Sequence, residues 1–301
     1  MRRHLVPRLH DTGERGDLIL NMRENKKHVF GLMGEDVSRS LSPRIHSIAM
    51  EKGNIDGVYR TFSVEESELP VFLTNMRGPT ISGINVTIPY KEKIIAFLDG
   101  LSVESRNIEA VNTIKKDDGK LIGYNTDCQG FLRSLEDRGF DPSGKRVLVL
   151  GSGGAARAVC YGLITGGISS LTVASRNNRS ASALAEAWVS GFPPVERRVM
   201  GLSGDLPGET TEKADIIVNT TPLGSGRFPD ASPLPYDCPL HAGQVVVDIV
   251  YEPESTPLLR YAEARGAVTM NGVRMLVHQA LESLRIWLAV DIDAEYVLNR
   301  L

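Results

Sequence analysis

Cysteine is scarce in this 301-residue chain: Cys128, Cys160 and Cys238 are the only three. They are far apart, odd in number and form no CxxC, which excludes a disulfide framework and argues against a zinc site. A reducing, cytoplasmic compartment is expected. The six histidines show no HExxH or comparable spacing, so no metal is expected either. No apolar run approaches the roughly 20 residues that cross a bilayer. Charge of one sign is not in excess. The net charge of -3 argues against nucleic acid as the main partner, while leaving room for a local basic pocket. What is present is ordinary for a chain with a full core: 42% hydrophobic and 24% charged residues, enough for one large domain or two moderate ones.

Residues 1–26 are polar and arginine-rich without an apolar h-region, so they are not a secretory signal. They read as a disordered leader, and Met22, just ahead of the first strand-like run at Val29, reads as an alternative start.

From Val29 onward strands alternate with helices. Val29–Met33, Val58–Val64 and Ile84–Ile88 read as strands, and Ile45, Ile48 and Ala49 as a helix with Ser42 as N-cap and Pro43 at N1. Leu69, Phe72, Leu73 and Met76 mark a second helix, and Ile94, Ile95 and Leu98 a third. Asp118-Gly119 between two strand-like runs is a hairpin signal. A helix is expected over 128–137, then a linker at Asp141-Pro142-Ser143-Gly144. The second half restarts with continuous apolar strands near 147–150, 171–174, 216–218 and 245–247, as in a sheet buried on both faces. Helices fit at 153–166, 178–190, 256–265 and 272–290, and loops at 201–212 and 222–239. The fold class is therefore α/β, in two α/β units.

Gly151-Ser152-Gly153-Gly154-Ala155-Ala156-Arg157 fits G-x-G-x-x-A between a strand and a helix. Gly151 permits the turn, Gly153 lets a pyrophosphate approach the backbone, and helix amides hold the phosphates. Where an acid would bind the NAD ribose, the chain has Ser175-Arg176-Asn177-Asn178-Arg179, which suits the 2′-phosphate of NADP better. An ordinary solvated turn is the plain alternative.

Lys91 follows Asn85-Val86-Thr87-Ile88-Pro89-Tyr90, in what reads as the first turn of a helix, whose dipole disfavours a cation. An amine so placed can exchange a proton, and Asp127, after Asn125-Thr126, can orient it. Lys91 also reads as a surface lysine and Asp127 as a helix cap. Ser40 and Ser42, beside free helix amides, make a carboxylate site, or Ser42 simply caps the helix. His46 reads as a hydrogen-bonded core histidine. Gln279, polar in an apolar helix, needs a partner, which is either substrate or backbone, and Met275 reads as packing.

Taken in order, Ser40-Leu41-Ser42-Pro43, Asn85 to Lys91, Ala110-Val111-Asn112-Thr113, Asn125-Thr126-Asp127, Gly151 to Arg157, Asp248-Ile249-Val250-Tyr251 and Asn271-Gly272 through Gln279 resemble the shikimate dehydrogenase family over residues 29–300. The resemblance implies a substrate domain (27–127 plus 272–301), a Rossmann-like NADP domain (128–271) and a cleft between them. It implies reversible NADPH-dependent reduction of 3-dehydroshikimate to shikimate, in chorismate and aromatic amino-acid biosynthesis. Lys91 and Asp127 would be the catalytic pair. Ser40 and Ser42 would take the carboxylate with Tyr251, and Thr87, Asn112 and Gln279 the ring hydroxyls. Gly151, Ser152, Gly153, Gly154, Ala155, Ser175, Arg176, Asn177 and Arg179 would hold the dinucleotide, with Gly272 and the backbone of Ile249 near the nicotinamide. Departures from the family pattern are Asp36 and Arg39, where proline and histidine are usual, Ser175 for asparagine, and Arg179 one residue early. Rival readings are a quinate/shikimate dehydrogenase using NAD or NADP, and a non-catalytic ligand sensor on the same fold. The small-molecule substrate leaves a monomer or a homodimer open.

Overall fold

A computed structural model describes residues 27–188, 192, 194–202 and 208–301. The expected leader over 1–26, Met22 included, lies outside the described residues, as does part of the expected 201–212 loop.

Two six-stranded sheets carry the chain. The first holds β1 (His28–Gly34), β2 (Gly57–Ser63), β3 (Gly83–Val86), β4 (Gly100–Leu101), β5 (Thr113–Asp117) and β6 (Lys120–Tyr124), in the order β2-β1-β3-β5-β6-β4. β1 pairs in parallel with β2 and β3, while β5 runs antiparallel to β3 and β6. The β5–β6 turn puts Asp118 and Gly119 at φ 46° and 76°, the left-handed pair that a two-residue hairpin requires.

The second sheet is wholly parallel. It holds β7 (Arg146–Leu150), β8 (Ser170–Ser175), β9 (Glu196–Gly201), β10 (Ile216–Asn219), β11 (Val245–Asp248) and β12 (Val268–Met270), in the order β12-β11-β10-β7-β8-β9. This is doubly wound order, and it reverses between β7 and β10, where such sheets open a crevice for ligand. β7 reads as continuous apolar sequence because both faces are covered. Val147 and Val149 join one core cluster, and Leu148 and Leu150 the other.

The helices are α1 (Ser42–Lys52), α2 (Leu69–Met76), α3 (Val103–Ile108), α4 (Asp127–Glu136), α5 (Gly154–Thr165), α6 (Asn178–Glu186), α7 (Gly208–Lys213), α8 (Pro257–Glu263), α9 (Val273–Leu288) and α10 (Ala294–Leu298). The longest, α9, returns to the first sheet. Its Val277, Ala280, Leu281, Leu284 and Trp287 bury against Phe30, Leu32, Ile45 and Ala49. Each large apolar side chain among them contributes about 1.5–3 kcal/mol by leaving water. Gly130 lets α9 cross α4 closely, since a Cβ there would lie 2.9 Å from both Gln279 N and Met275 O.

Several expectations are corrected. The helix near 94–98 is a 3₁₀ helix, Lys93–Phe97, tied by i→i+3 bonds such as Leu98 N to Ile95 O. The strand expected to run through Ile88 ends at Val86, and the chain leaves it through a cis Ile88–Pro89 bond. Leu41, not Ser42, occupies the N-cap of α1, because the hydroxyl of Ser40 already accepts from Ser42 N at 3.1 Å. The 201–212 loop gives way to α7, and α6 stops at Glu186.

His46 on α1 is fully buried and stacks on Tyr59 at 3.9 Å. Neither ring nitrogen makes a hydrogen bond of good geometry, which corrects the hydrogen-bonded reading. Burial drives its pKa down to about 3, outweighing the opposite pull of Asn85. The unfolded chain therefore takes up this proton first. The associated stability is complete above about pH 6.5 and drains away as the pH falls toward 3. From this residue alone the loss between pH 7 and pH 5 is about 2 kcal/mol. His46→Phe is expected to flatten the stability difference between those two pH values by that amount in urea titrations.

Candidate active site

Lys91 sits in the turn between β3 and the 3₁₀ helix, not in the first turn of an α-helix. Its carbonyl accepts from Val111 N at 2.7 Å, which fixes the turn against the segment leading into β5. Its ammonium meets Asp127 Oδ2 at 2.6 Å, with the two side chains 16% and 7% exposed. Asp127 is free for this because Asn125 does the capping: its Oδ1 accepts from Asp127 N at 3.0 Å and Cys128 N at 3.3 Å. The other oxygen of Asp127 accepts from Asn112 Nδ2 at 2.8 Å. A partly buried amine and carboxylate thus sit with their heads fixed, an arrangement able to hand a proton to a neighbouring oxygen.

Of the polar residues expected at a substrate, Asn112 bonds to Asp127, and Gln279 lies against Asn112. Gln279 is 8% exposed. Its Nε2 donates to Leu276 O at 2.8 Å, and its Oε1 lies 3.4 Å from Asn112 Nδ2, so it joins backbone to Asn112. Asn112 is more engaged than expected: its Nδ2 also donates to Thr126 Oγ1 at 2.9 Å, and its Oδ1 accepts from Thr126 N at 2.8 Å. Thr87 follows β3 directly, with its N–H bonded to Met33 O at 2.9 Å. Ser40 and Ser42 hold each other's hydroxyls at 3.1 Å. The Tyr251 hydroxyl reaches Ser40 and the Leu41 backbone, while burial raises its pKa. That contact brings a residue following the second sheet onto the serines of the first.

The glycine turn links β7 to α5. Gly151 takes φ 114°, and a Cβ there would press on Thr220 Oγ1 at 2.5 Å, just beyond β10. Only glycine fits. Gly153 caps α5, and a Cβ there would meet nothing within 4 Å, which leaves room for a pyrophosphate against the backbone. A Cβ on Gly154 would lie 3.1 Å from Lys91 Cβ, so the stem of the lysine rests on the turn. Ala155 follows within the first turn of α5. Beside the turn opens a cleft of about 400 Å³, lined by Ser152, Gly153, Arg157, Asn177, Arg179 and Ser180, with Glu92 from the first half. Ser152 and Ser175 join hydroxyls at 2.8 Å, and Asn177 caps α6 through Ser180 N at 3.1 Å. Arg176 is exposed and is not among the cleft's lining residues. On the α6 side the described lining residues, Asn177, Arg179 and Ser180, include a guanidinium and no acid, which fits a phosphorylated ribose.

At the end of β11, Asp248 is fully buried, and burial pushes its pKa up to about 6 against three donors: Asn219 Nδ2, Val250 N and Thr256 Oγ1. It ties together the segments that follow β10 and β11. Next to it, a Cβ on Gly272 would lie 2.0 Å from Ile249 O, so the two backbones expected near a nicotinamide are in contact. Burial raises the thiols of Cys128 and Cys160 to about 12, which removes them as nucleophiles at neutral pH. Among the described residues, no group of three or more His, Cys, Asp or Glu could hold a metal ion. No helix of the described residues is long and apolar enough to cross a membrane.

Sequence reasoning missed Arg157 and Glu92 in the cleft. Arg157 Nη1 pairs with Glu109 at 2.8 Å, and its Nε lies 3.7 Å from Glu92, so it joins the two halves. Its place in the first turn of α5, facing away from the apolar stripe, was the available signal. Ser283 was also missed. It lies one turn beyond Gln279 on the same face of α9, a spacing that could have flagged it.

A partly buried lysine–aspartate pair, with the lysine stem resting on a glycine turn of the dinucleotide-binding pattern, points to a class: the nicotinamide-dependent reductases of carbonyl compounds. The comparisons narrow it. Residues 32–114 match the model of the shikimate dehydrogenase substrate binding domain. The shikimate dehydrogenase (NADP(+)) of Moorella thermoacetica is 42% identical over 260 residues, covering 85% of this chain and 86% of that one. The Thermus thermophilus shikimate 5-dehydrogenase, solved with NADP(H) and shikimate, superposes with TM-score 0.80 at 34% identity, covering 90% of this chain and 97% of that one. The Listeria monocytogenes enzyme, solved with shikimate and NAD, gives TM-score 0.83 at 30% identity, covering 92% and 96%. The chain belongs to the shikimate dehydrogenase family.

Proposed function

We propose that Lys91 and Asp127 are the catalytic pair of the reaction this chain performs, the reversible NADPH-dependent reduction of 3-dehydroshikimate to shikimate in aromatic amino-acid biosynthesis. The observation that carries the assignment is the 2.6 Å contact between Nζ and Oδ2, held partly buried beside Gly154. Bound NADPH supplies the hydride to the C3 carbonyl carbon. Lys91 donates the proton to the oxygen as it becomes an alkoxide, and Asp127 holds the amine in place. Ser40, Ser42 and Tyr251 take the carboxylate. Thr87, Asn112 and Gln279 orient the ring, so that only one carbonyl meets the hydride. Analogues lacking a hydroxyl leave buried polar groups unpaired and are rejected. The domains divide at 127/128 and 271/272. Three free cysteines fit a cytoplasmic enzyme, as a monomer or homodimer.

A second reading, with NAD accepted as well, is favoured by the Listeria relative's complex with NAD. One assay tests both. Absorbance of the reduced nicotinamide is followed with shikimate or quinate and with NADP or NAD, in all four combinations. Turnover with shikimate and NADP far above the other three is expected, and no turnover in any combination would sink the reading.

Gly153→Ala separates cofactor contact from folding. The added methyl meets no protein atom, so the melting temperature stays within about 2 °C. It occupies the space where the phosphates approach, so KM for NADP is expected to rise roughly tenfold or more.

A further inference from the structure

Behind the Lys91–Asp127 pair lies a chain of buried polar side chains, of which the catalytic reading uses only Asn112. Ser283 on α9 and Thr113 on β5 are both fully buried, and their hydroxyls meet at 2.9 Å. Asn85 on β3, 4% exposed, donates from Nδ2 to both, at 2.9 Å each. Tyr59 OH donates to Asn85 Oδ1 at 2.8 Å and locks that amide's orientation. Thr113 Oγ1 then donates to Asn112 Oδ1 at 3.0 Å, and Asn112 Nδ2 donates to Asp127 Oδ1 at 2.8 Å. Five segments, β2, β3, β5, the start of α4 and α9, converge here.

Proton accounting gives the chain a direction. Thr113 Oγ1 gives its one proton to Asn112 Oδ1, so the proton in the 2.9 Å contact between the two hydroxyls comes from Ser283. The Ser283 oxygen accepts from the Asn85 amide, and Thr113 Oγ1 accepts from both Ser283 and Asn85. With Asn85 so held, Thr113 is free to donate onward to Asn112, and the Asn112 amide is turned with its nitrogen toward Asp127. Flipping that amide would set its oxygen against a carboxylate.

From this we infer that Ser283 is a positioning residue for proton delivery, acting through Thr113 and Asn112 on the carboxylate of Asp127. It touches neither substrate nor cofactor. Buried hydrogen-bond networks penalise a missing member heavily, because the partner left behind stays desolvated. Ser283→Ala strands one Asn85 donor, loosens Thr113 and lets Asn112 turn away from Asp127. The carboxylate, short of one donor, holds the Lys91 ammonium more tightly, which delays release of its proton.

The inference rests on Lys91 and Asp127 being the catalytic pair, and the test keeps the two apart. Purified full-length Ser283→Ala, Ser283→Thr and Thr113→Val are compared with the parent and with Asp127→Asn, using shikimate and NADP. Expected for Ser283→Ala is a kcat roughly tenfold lower, with KM for shikimate within about threefold. The pH profile of kcat is expected to move upward by about half a unit, with recovery of most of both by Ser283→Thr. Added to Asp127→Asn, the alanine change costs little more, because its target is gone. Thr113→Val, which removes the next hydroxyl while keeping the shape, reproduces the effect and stands in if Ser283→Ala does not fold. An unchanged kcat and pH profile overturns the inference. So does an equal further loss in the Asp127→Asn background, the mark of general loosening. If Lys91→Ala alone keeps full activity, the catalytic reading fails instead.

Discussion

Replacing Lys91 by alanine lowers kcat by roughly 10²–10⁴-fold, with KM for shikimate moving much less. The size follows from what the side chain supplies. Its ammonium is the positive group bonded to Asp127, and its stem lies against the nucleotide turn at Gly154. Among the described residues no other lysine or arginine pairs with that carboxylate, so a substitute proton must come from water. The serines and Gln279 keep their places, which is why ground-state binding suffers less. Asp127 keeps its bond from Asn112, so the variant stays folded and the kinetic loss can be read cleanly. Stopped-flow absorbance at saturating shikimate and NADP reads it. A variant turning over at near-parental rate would remove the lysine from the chemistry.

The pair was legible because each member sits in a polar cluster at the end of an apolar strand, where the structure also finds it. The glycine turn was legible for the same reason: Gly151 meets a steric demand that no other residue satisfies, and Gly153 leaves its backbone open. Other features left weaker traces. The apolar spacing at Ile94, Ile95 and Leu98 suits an α-helix, yet the chain there closes in i→i+3 bonds, and side-chain periodicity over five residues does not separate the two. β9 escaped notice because Glu196, Arg197 and Arg198 line an edge strand with no apolar alternation. α3 is six residues long, too short to show a period, although Ser102 caps it through Ser105 N at 3.1 Å. The role of Ser283 was hidden for a different reason. A serine in an apolar helix is common, and only the packing of α9 on β3 and β5 reveals what its hydroxyl touches. Gln279 was open between substrate and backbone; its amide nitrogen bonds backbone while its oxygen lies against the Asn112 amide.

Gly272→Ala is expected to harm stability and nucleotide binding together, in contrast to Gly153→Ala. The backbone at Gly272 takes φ -77°, which any residue adopts, so conformation is not the difficulty. Space is: the new Cβ would lie 2.0 Å from Ile249 O and 2.5 Å from its carbonyl carbon. Neither neighbour is a side-chain end that can swing aside. The segment after β11 must part from the start of α9 by more than an ångström, and Gly272 N must give up its 3.0 Å bond to Val250 O. Overpacking of this kind costs about 1–3 kcal/mol, occasionally more, and a backbone clash belongs at the upper end. In a chain of this length that corresponds to a fall in melting temperature of roughly 6 °C or more. The movement also reaches the chemistry. Ile249 and Gly272 carry the backbone proposed to face the nicotinamide, and α9 carries Gln279 and Ser283, so a shifted helix start disturbs both sides of the cleft. KM for NADP is expected to rise roughly tenfold or more, with a fall in kcat as well. Differential scanning fluorimetry with and without NADP separates the two effects. The variant should melt early and gain less from the nucleotide than the parent does. A variant that melts with the parent and gains the full nucleotide shift would mean that the contact between Ile249 and Gly272 relaxes freely and does not set the cleft.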